Sequence, residues 1–188
     1  MFWLASPVVI YALAVRWRAH MRAPEIANRL GLTVGNWRAY LISLAFAVPI
    51  SFLAVWISSR TSSFKGSMIA PFVGASPTPA NICEVLAYAI VATGFPEELL
   101  FRGLIAGVLF RRMSSGRANV IQAAIFTLPH LLILLVAPRL WLLLILLPMG
   151  TGLLAGWLRQ SSGSILPAVI VHASGNMAGA FAVMKWSA

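Results

Sequence analysis

Four apolar runs without a Lys, Arg, Asp or Glu, namely Tyr40–Ser59, Ala118–Pro138, Leu140–Leu158 and Ile165–Met184, constrain this chain more than any other feature. Roughly 20 apolar residues in a helix cross the hydrocarbon core of a bilayer, where each backbone polar group must be satisfied within its own segment. Little polar sequence is left to cover a water-facing surface. Only 10 % of the residues are charged, against about 25 % in a soluble domain. Met1–Val15 is a shorter apolar stretch that lacks the basic start of a signal peptide. It reads as a first span, with a natural start open to lie further upstream. Asn81–Phe110 also reads as a span, although it holds Glu84, Glu97, Glu98 and Arg102. Thirty helical residues extend about 45 Å, so this segment must tilt, project or break. Gly94-Phe95-Pro96 is the expected break point.

The expected fold class is therefore all-α: a polytopic transmembrane helix bundle of about six spans. A short amphipathic helix within Ala19–Trp37 follows the first span at the membrane interface. Thr61–Pro79, rich in Ser, Gly and Pro, reads as an irregular external loop. Residues 1–80 supply N-terminal spans, interfacial helix and loop, and residues 81–188 a four-helix core, all in one integral membrane unit.

Asp is absent, and four Glu stand against fourteen Lys and Arg, giving a net charge of +10. The basic residues lie in short clusters between apolar runs, which fits positive-inside topology rather than nucleic-acid binding. With Met1 outside, the loops on one side hold nine Lys or Arg, from Arg16 to Arg38, from Arg111 to Arg117, and Arg159. The other side holds Arg60, Lys65, Arg139 and Lys185. The first side is expected to be cytoplasmic, with both termini outside and the protein a multi-pass component of the cell membrane. The bilayer is thus one partner; no nucleic acid is expected. Cys83 is the sole cysteine, so an intrachain disulfide or multi-cysteine metal site is excluded.

Ionisable groups at bilayer depth are costly and normally face the protein interior. Glu97, Glu98, Arg102, His130 and His172 are such groups, and Asn176 lies one helical turn beyond His172. Pro96 suits the first position of a helix, and the two acids that follow lie near the positive end of its dipole. Glu98 and Arg102 are four apart with the acid first, the favourable order for an ion pair on one face. Glu97 is rotated by about 100° from Glu98. The pair Glu98–Arg102 is therefore assigned to structure and Glu97 to chemistry. Phe126 shares a helix face with His130 and is assigned to packing, while Pro129 removes a backbone bond just before the histidine. Gly175 and Gly179 allow close approach of a neighbour to the last span, and Gly152 and Gly156 do the same on the span before it. Counted along their helices, Glu97 lies about 21 Å from Arg111, His130 about 20 Å from Arg117 and His172 about 12 Å from Ser164. Three antiparallel helices can then bring them together. Glu84 reads as a solvated helix end, and His20 has no suggested partner.

The segment Phe95-Pro96-Glu97-Glu98-Leu99-Leu100-Phe101-Arg102-Gly103 matches an EExxxR motif and its usual surroundings. Phe126-Thr127-Leu128-Pro129-His130 matches FxxxH, and His172-Ala173-Ser174-Gly175-Asn176 matches HxxxN. Each motif alone is weak; three in order on separate spans are specific. Together they resemble the CPBP group of intramembrane proteases, which includes the type II CAAX prenyl endopeptidase and bacteriocin-processing or immunity proteins. The likeness covers roughly Asn81 to Ala180. It implies an endopeptidase with Glu97 as general base, His130 holding or polarising a water, and His172 and Asn176 as oxyanion donors. It also implies a membrane-associated peptide or protein substrate, of which a prenylated CAAX-type C terminus is the best-known example. No nucleophile motif is present, since Ser174 lacks a G-x-S-x-G setting.

The resemblance favours a glutamate-dependent mechanism that needs no cofactor. In the zinc alternative Glu97, His130 and His172 are metal ligands with a water in the fourth position, although nothing here resembles H-E-x-x-H. Two non-enzymatic readings compete. One is a membrane scaffold or bacteriocin-immunity protein retaining the motifs, which would not need Glu97. The other is a transporter, for which a pair of matched interrupted helices is expected and not seen.

Overall fold

In the computed structural model, which describes residues 2–61, 64, 67–132 and 141–186, every regular element among the described residues is helical. After a single 3₁₀ turn at Phe2–Ala5 come α1 (Ser6–Arg18), α2 (Ala23–Leu30) and α3 (Trp37–Arg60). A long helix, α4, then occupies residues 79–110 and is followed by α5 (Ser115–His130), α6 (Trp141–Ser162) and α7 (Leu166–Ala182). Two of these, α3 and α6, are long and apolar enough to cross a membrane, and α7 is a shorter apolar helix. Only 11 % of the most apolar stretch of α3 is buried. Leu41, Leu44, Val48, Phe52 and Val55 face outward along it, a patch that in water would be an association hazard and in lipid is ordinary. The expected run Ala118–Pro138 is helical through His130. Its last part, the start of Leu140–Leu158 and the charges Lys65 and Arg139 lie outside the described residues.

The helix boundaries have local causes. Asn36 Oδ1 accepts from the Ala39 N–H at 3.0 Å and so caps α3. Thr78 Oγ1 accepts from the Asn81 N–H at 3.3 Å ahead of Pro79, which starts α4. Glu25 reaches back to the Arg22 N–H at 2.6 Å at the start of α2. Gly31, at φ 70°, ends that helix after eight residues. The amphipathic helix is thus much shorter than the segment Ala19–Trp37. Its apolar side, Ile26 and Leu30, is covered by Val8 of α1 and Leu99 and Leu104 of α4.

The expected break at Gly94-Phe95-Pro96 does not occur. Gly94 and Phe95 are right-handed helical, and α4 runs on through Pro96. The ladder widens instead: residues Ala87–Gly94 and Leu99–Ala106 are π-helical, on either side of a single α turn, Phe95–Glu98. The Phe95 N–H bonds the Ile90 carbonyl, five residues back. Widening the preceding turn accommodates a proline that would otherwise break or kink an α-helix.

Contacts gather the arginine-bearing loops at one end. Gly107 lets α4 pass against the Arg29 carbonyl and Gly103 against that of Leu30. Arg159 Nη2 donates to the Arg29 carbonyl at 3.1 Å, and Arg111 to the Tyr11 hydroxyl at 3.0 Å. The Ile165 N–H donates to the Gly31 carbonyl at 2.9 Å, and Ser164 Oγ donates to the Thr33 carbonyl. At the other end residues 67–78, just before α4, are docked rather than free. Gly74 N–H meets the Val183 carbonyl at 2.9 Å, Lys185 N–H meets that of Ala75 at 3.0 Å, and Phe72 packs with Val85, Ala180 and Met184. Between these ends α7 packs mainly on α3, and α5 on α6.

Candidate active site

The single α turn between the two wide stretches of α4 carries both acids. Glu98 and Arg102 are 1 % exposed, and Arg102 Nη1 donates to Glu98 Oε1 at 2.8 Å. The same oxygen lies 2.8 Å from His172 Nδ1 on α7. An ionised carboxylate only accepts, so Nδ1–H of His172 is the donor. The opposite ring nitrogen, Nε2, stands 3.7 Å from Glu97 Oε2. The two acids thus address the two sides of one imidazole, as their rotation about the helix allows. Glu97 is the more accessible acid, 19 % exposed.

His130 closes α5. Its Nδ1 lies 2.9 Å from the Phe126 carbonyl, which can only accept, so the ring donates there and keeps a lone pair on Nε2. Phe126 is the hub of the packing. Its ring meets Phe101 edge-on at 5.0 Å, His130 at 4.8 Å and His172 at 5.8 Å, and the Arg102 guanidinium lies 4.1 Å from its centroid. The cation thus rests on an aromatic face in a water-poor site, where such a contact is strongest.

Asn176, one turn after His172, donates through Nδ2 to Thr93 Oγ1 at 2.8 Å. Glu98, Arg102, Phe126, His130, His172 and Asn176 all line a cavity of about 310 Å³. Its remaining wall is mostly apolar, with Ile50, Ala54, Ile57, Leu147 and Val171 among the lining residues. Gly175 keeps the wall thin, since a Cβ there would press on Ile50 at 3.1 Å.

Two polar residues outside the motifs join this arrangement. Thr93 is buried in the first π-helical stretch. Gln122 Nε2 donates to the Gly152 carbonyl at 2.7 Å and to Asn119 Oδ1 at 2.8 Å, while Arg102 Nη2 reaches that carbonyl at 3.5 Å. Gly156 makes room for these amides, because a Cβ would collide with Asn119 and Gln122. A signal for Gln122 exists in the sequence, since Gln122, Phe126 and His130 recur every four residues and share a face. Glu84 is exposed near the start of α4, and exposed His20 ends α1 at φ 51°.

A zinc site would need Glu97, His130 and His172 to converge. Among the described residues no group of three or more His, Cys, Asp or Glu side chains is placed to hold one ion.

Acid, imidazole and amide groups brought together from separate helices beside an apolar cavity define a helical protein with a buried polar site. The family model for type II CAAX prenyl endopeptidase Rce1-like proteins matches residues 79–178, from the first turn of α4 into α7 and across all three motifs. The chain belongs to this family of membrane-embedded proteases. No match is found among curated proteins or among solved structures.

Proposed function

We propose that this protein is an intramembrane endopeptidase that hydrolyses a peptide bond with water activated by Glu97. One observation carries the reading: His130 from α5 and His172 and Asn176 from α7 line one largely apolar cavity, and Glu97 from α4 stands 3.7 Å from His172 Nε2. In the proposed reaction Glu97 takes a proton from the attacking water, and the lone pair on His130 Nε2 accepts that water's other hydrogen. The hydroxide adds to the scissile carbonyl carbon. Asn176 N–H and His172 Nε2–H donate to the developing oxyanion. His172 does so as an imidazolium, and the site is then neutral, with Glu97 and Glu98 balancing His172 and Arg102. Collapse breaks the C–N bond, and Glu97 returns its proton to the leaving amine.

A membrane-associated peptide is the proposed substrate, CAAX-type prenylated C termini included, because the polar motif residues share the cavity with an apolar lining. The proposed topology is six spans with both termini outside. The segregation of Arg29, Arg111 and Arg159 to one end supports it, as does the docking of Lys185 with the loop at the other.

The test compares membrane peptides from cells carrying wild-type protein and Glu97→Ala, followed by cleavage of a farnesylated CAAX peptide by purified protein in vesicles. Loss of a defined set of products in Glu97→Ala is the expected result. A phenotype fully retained by Glu97→Ala, with no peptide changed, overturns the enzyme reading in favour of a scaffold.

A further inference from the structure

A hydroxyl has one proton to give. Thr93 Oγ1 lies 2.8 Å from the Tyr88 carbonyl and 3.2 Å from that of Ala89, and both can only accept. The Thr93 proton is therefore directed along its own helix, and what Oγ1 offers across the interface is a lone pair. Asn176 is the group that meets it, at 2.8 Å. An amide facing a lone pair must present its NH₂ rather than its carbonyl oxygen. Free rotation of an asparagine amide would otherwise leave the choice between donor and acceptor open.

The π-helical backbone adds a second acceptor for that proton, at a shorter distance. In an α-helix a threonine hydroxyl bonds the carbonyl three or four residues back. Here the strongest contact is with Tyr88, five residues back, within the wide stretch Ala87–Gly94. Thr93 is 2 % exposed, so water does not compete for its hydroxyl. Gly94 beside it sits against Ala173 on α7, which keeps the two helices close at this level.

We propose that Thr93 is a positioning residue that fixes the flip state of Asn176, so that one N–H of the amide is spent on Thr93 and the other is left for the cavity. The inference deepens the proposed endopeptidase mechanism and rests on it for the role of that second N–H. The orientation of the amide itself does not depend on any activity.

The experiment uses full-length protein labelled with ¹⁵N-asparagine in micelles; the chain has five asparagines, so the side-chain amide spectrum is sparse. Asn176→Ala assigns the Asn176 pair. Wild type and Thr93→Ser are expected to show one Asn176 N–H shifted and slow to exchange. In Thr93→Val that signature is lost while the Asn119 pair stays in place. An Asn176 pair unchanged in Thr93→Val overturns the inference. In parallel, cleavage of the farnesylated CAAX peptide in vesicles is expected to show kcat down about 10- to 100-fold in Thr93→Val with KM unchanged, below the loss from deleting an oxyanion donor outright. Thr93→Ser stays within about threefold of wild type, since it keeps the lone pair. Normal kcat in Thr93→Val with Glu97→Ala inactive overturns the inference and leaves the mechanism standing. Cleavage that survives in Glu97→Ala overturns the mechanism, and the spectrum still decides the orientation of Asn176.

Discussion

His172 Nδ1 stands 2.8 Å from Glu98 Oε1, so the acid that the sequence pairs with Arg102 also holds the imidazole of the last helix. The buried carboxylate ties α4 to α7 and neutralises Arg102 at the same time. Removing it strands a cation that is 1 % exposed. Glu98→Ala is expected to cost about 3–5 kcal/mol of stability, the range for breaking a buried pair by deleting one partner. Thermal unfolding in detergent measures it; a melting temperature equal to wild type contradicts the assignment.

Glu97 should behave in the opposite way. It is partly exposed, and its distance to His172 Nε2, 3.7 Å, is too long for a direct hydrogen bond. Glu97→Ala and Glu97→Gln are expected to unfold near the wild-type temperature and to lose cleavage alike, by about 10²-fold or more, as for loss of a general base. Chelator treatment should leave wild-type turnover unchanged. Activity removed by chelator and restored by zinc would replace the water-activation role of Glu97 with ligation.

Gln122 is expected to matter for the seam between α5 and α6. Gln122→Leu deletes the donor to the Gly152 carbonyl and the bond to Asn119. The cost is about 1–3 kcal/mol, the penalty for leaving buried partners unmatched. Faster hydrogen exchange confined to residues near 119 and 152 is the accompanying signature.

At the arginine-rich end, Arg159→Ala should release α2. Its guanidinium bonds the Arg29 carbonyl at 3.1 Å and lies over Gly31, which ends that helix. Hydrogen bonds to a charged group contribute about 1.5–3 kcal/mol. Limited proteolysis is expected to cut near Asn28–Gly31 faster in the variant, with α4 and α7 still protected.

The proposed topology is open to a labelling test on the natural sequence. Cys83 is exposed near the start of α4, the end opposite Arg111. An impermeant maleimide is expected to label it from the outside of intact cells. Labelling only in inverted vesicles reverses the orientation.

The motif spacings were legible because they follow the α-helical repeat. Glu98 with Arg102, Phe126 with His130 and His172 with Asn176 are each four apart, and the structure brings all six side chains to one cavity. The behaviour of α4 was not legible. Proline after glycine reads as a break, and nothing local in Ala87–Gly94 announces a wider ladder, which arises where α4 packs on α7. The contribution of Thr93 was hidden because a lone threonine in an apolar run is ordinary until Asn176 is seen 2.8 Å away on another helix. Gln122 was within reach, but attention to charged groups at depth passes over a neutral amide. The end of α2 was signalled by Gly31, whereas its docking on α4 depends on distant glycines, Gly103 and Gly107.

Both ends of α4 are anchored, near Val85 by the loop core and near Gly107 by the Arg29 carbonyl. The wide stretches between these anchors act as slack on either side of the acidic turn. Each helical residue advances the chain by about 100°, so a residue added on one side of the acidic turn and taken up by the wide stretch on the other rotates Glu97 and Glu98 while the anchored ends stay put. Such a helix can be retimed: which carboxylate meets His172 becomes a matter of phase, adjustable by length as well as by substitution.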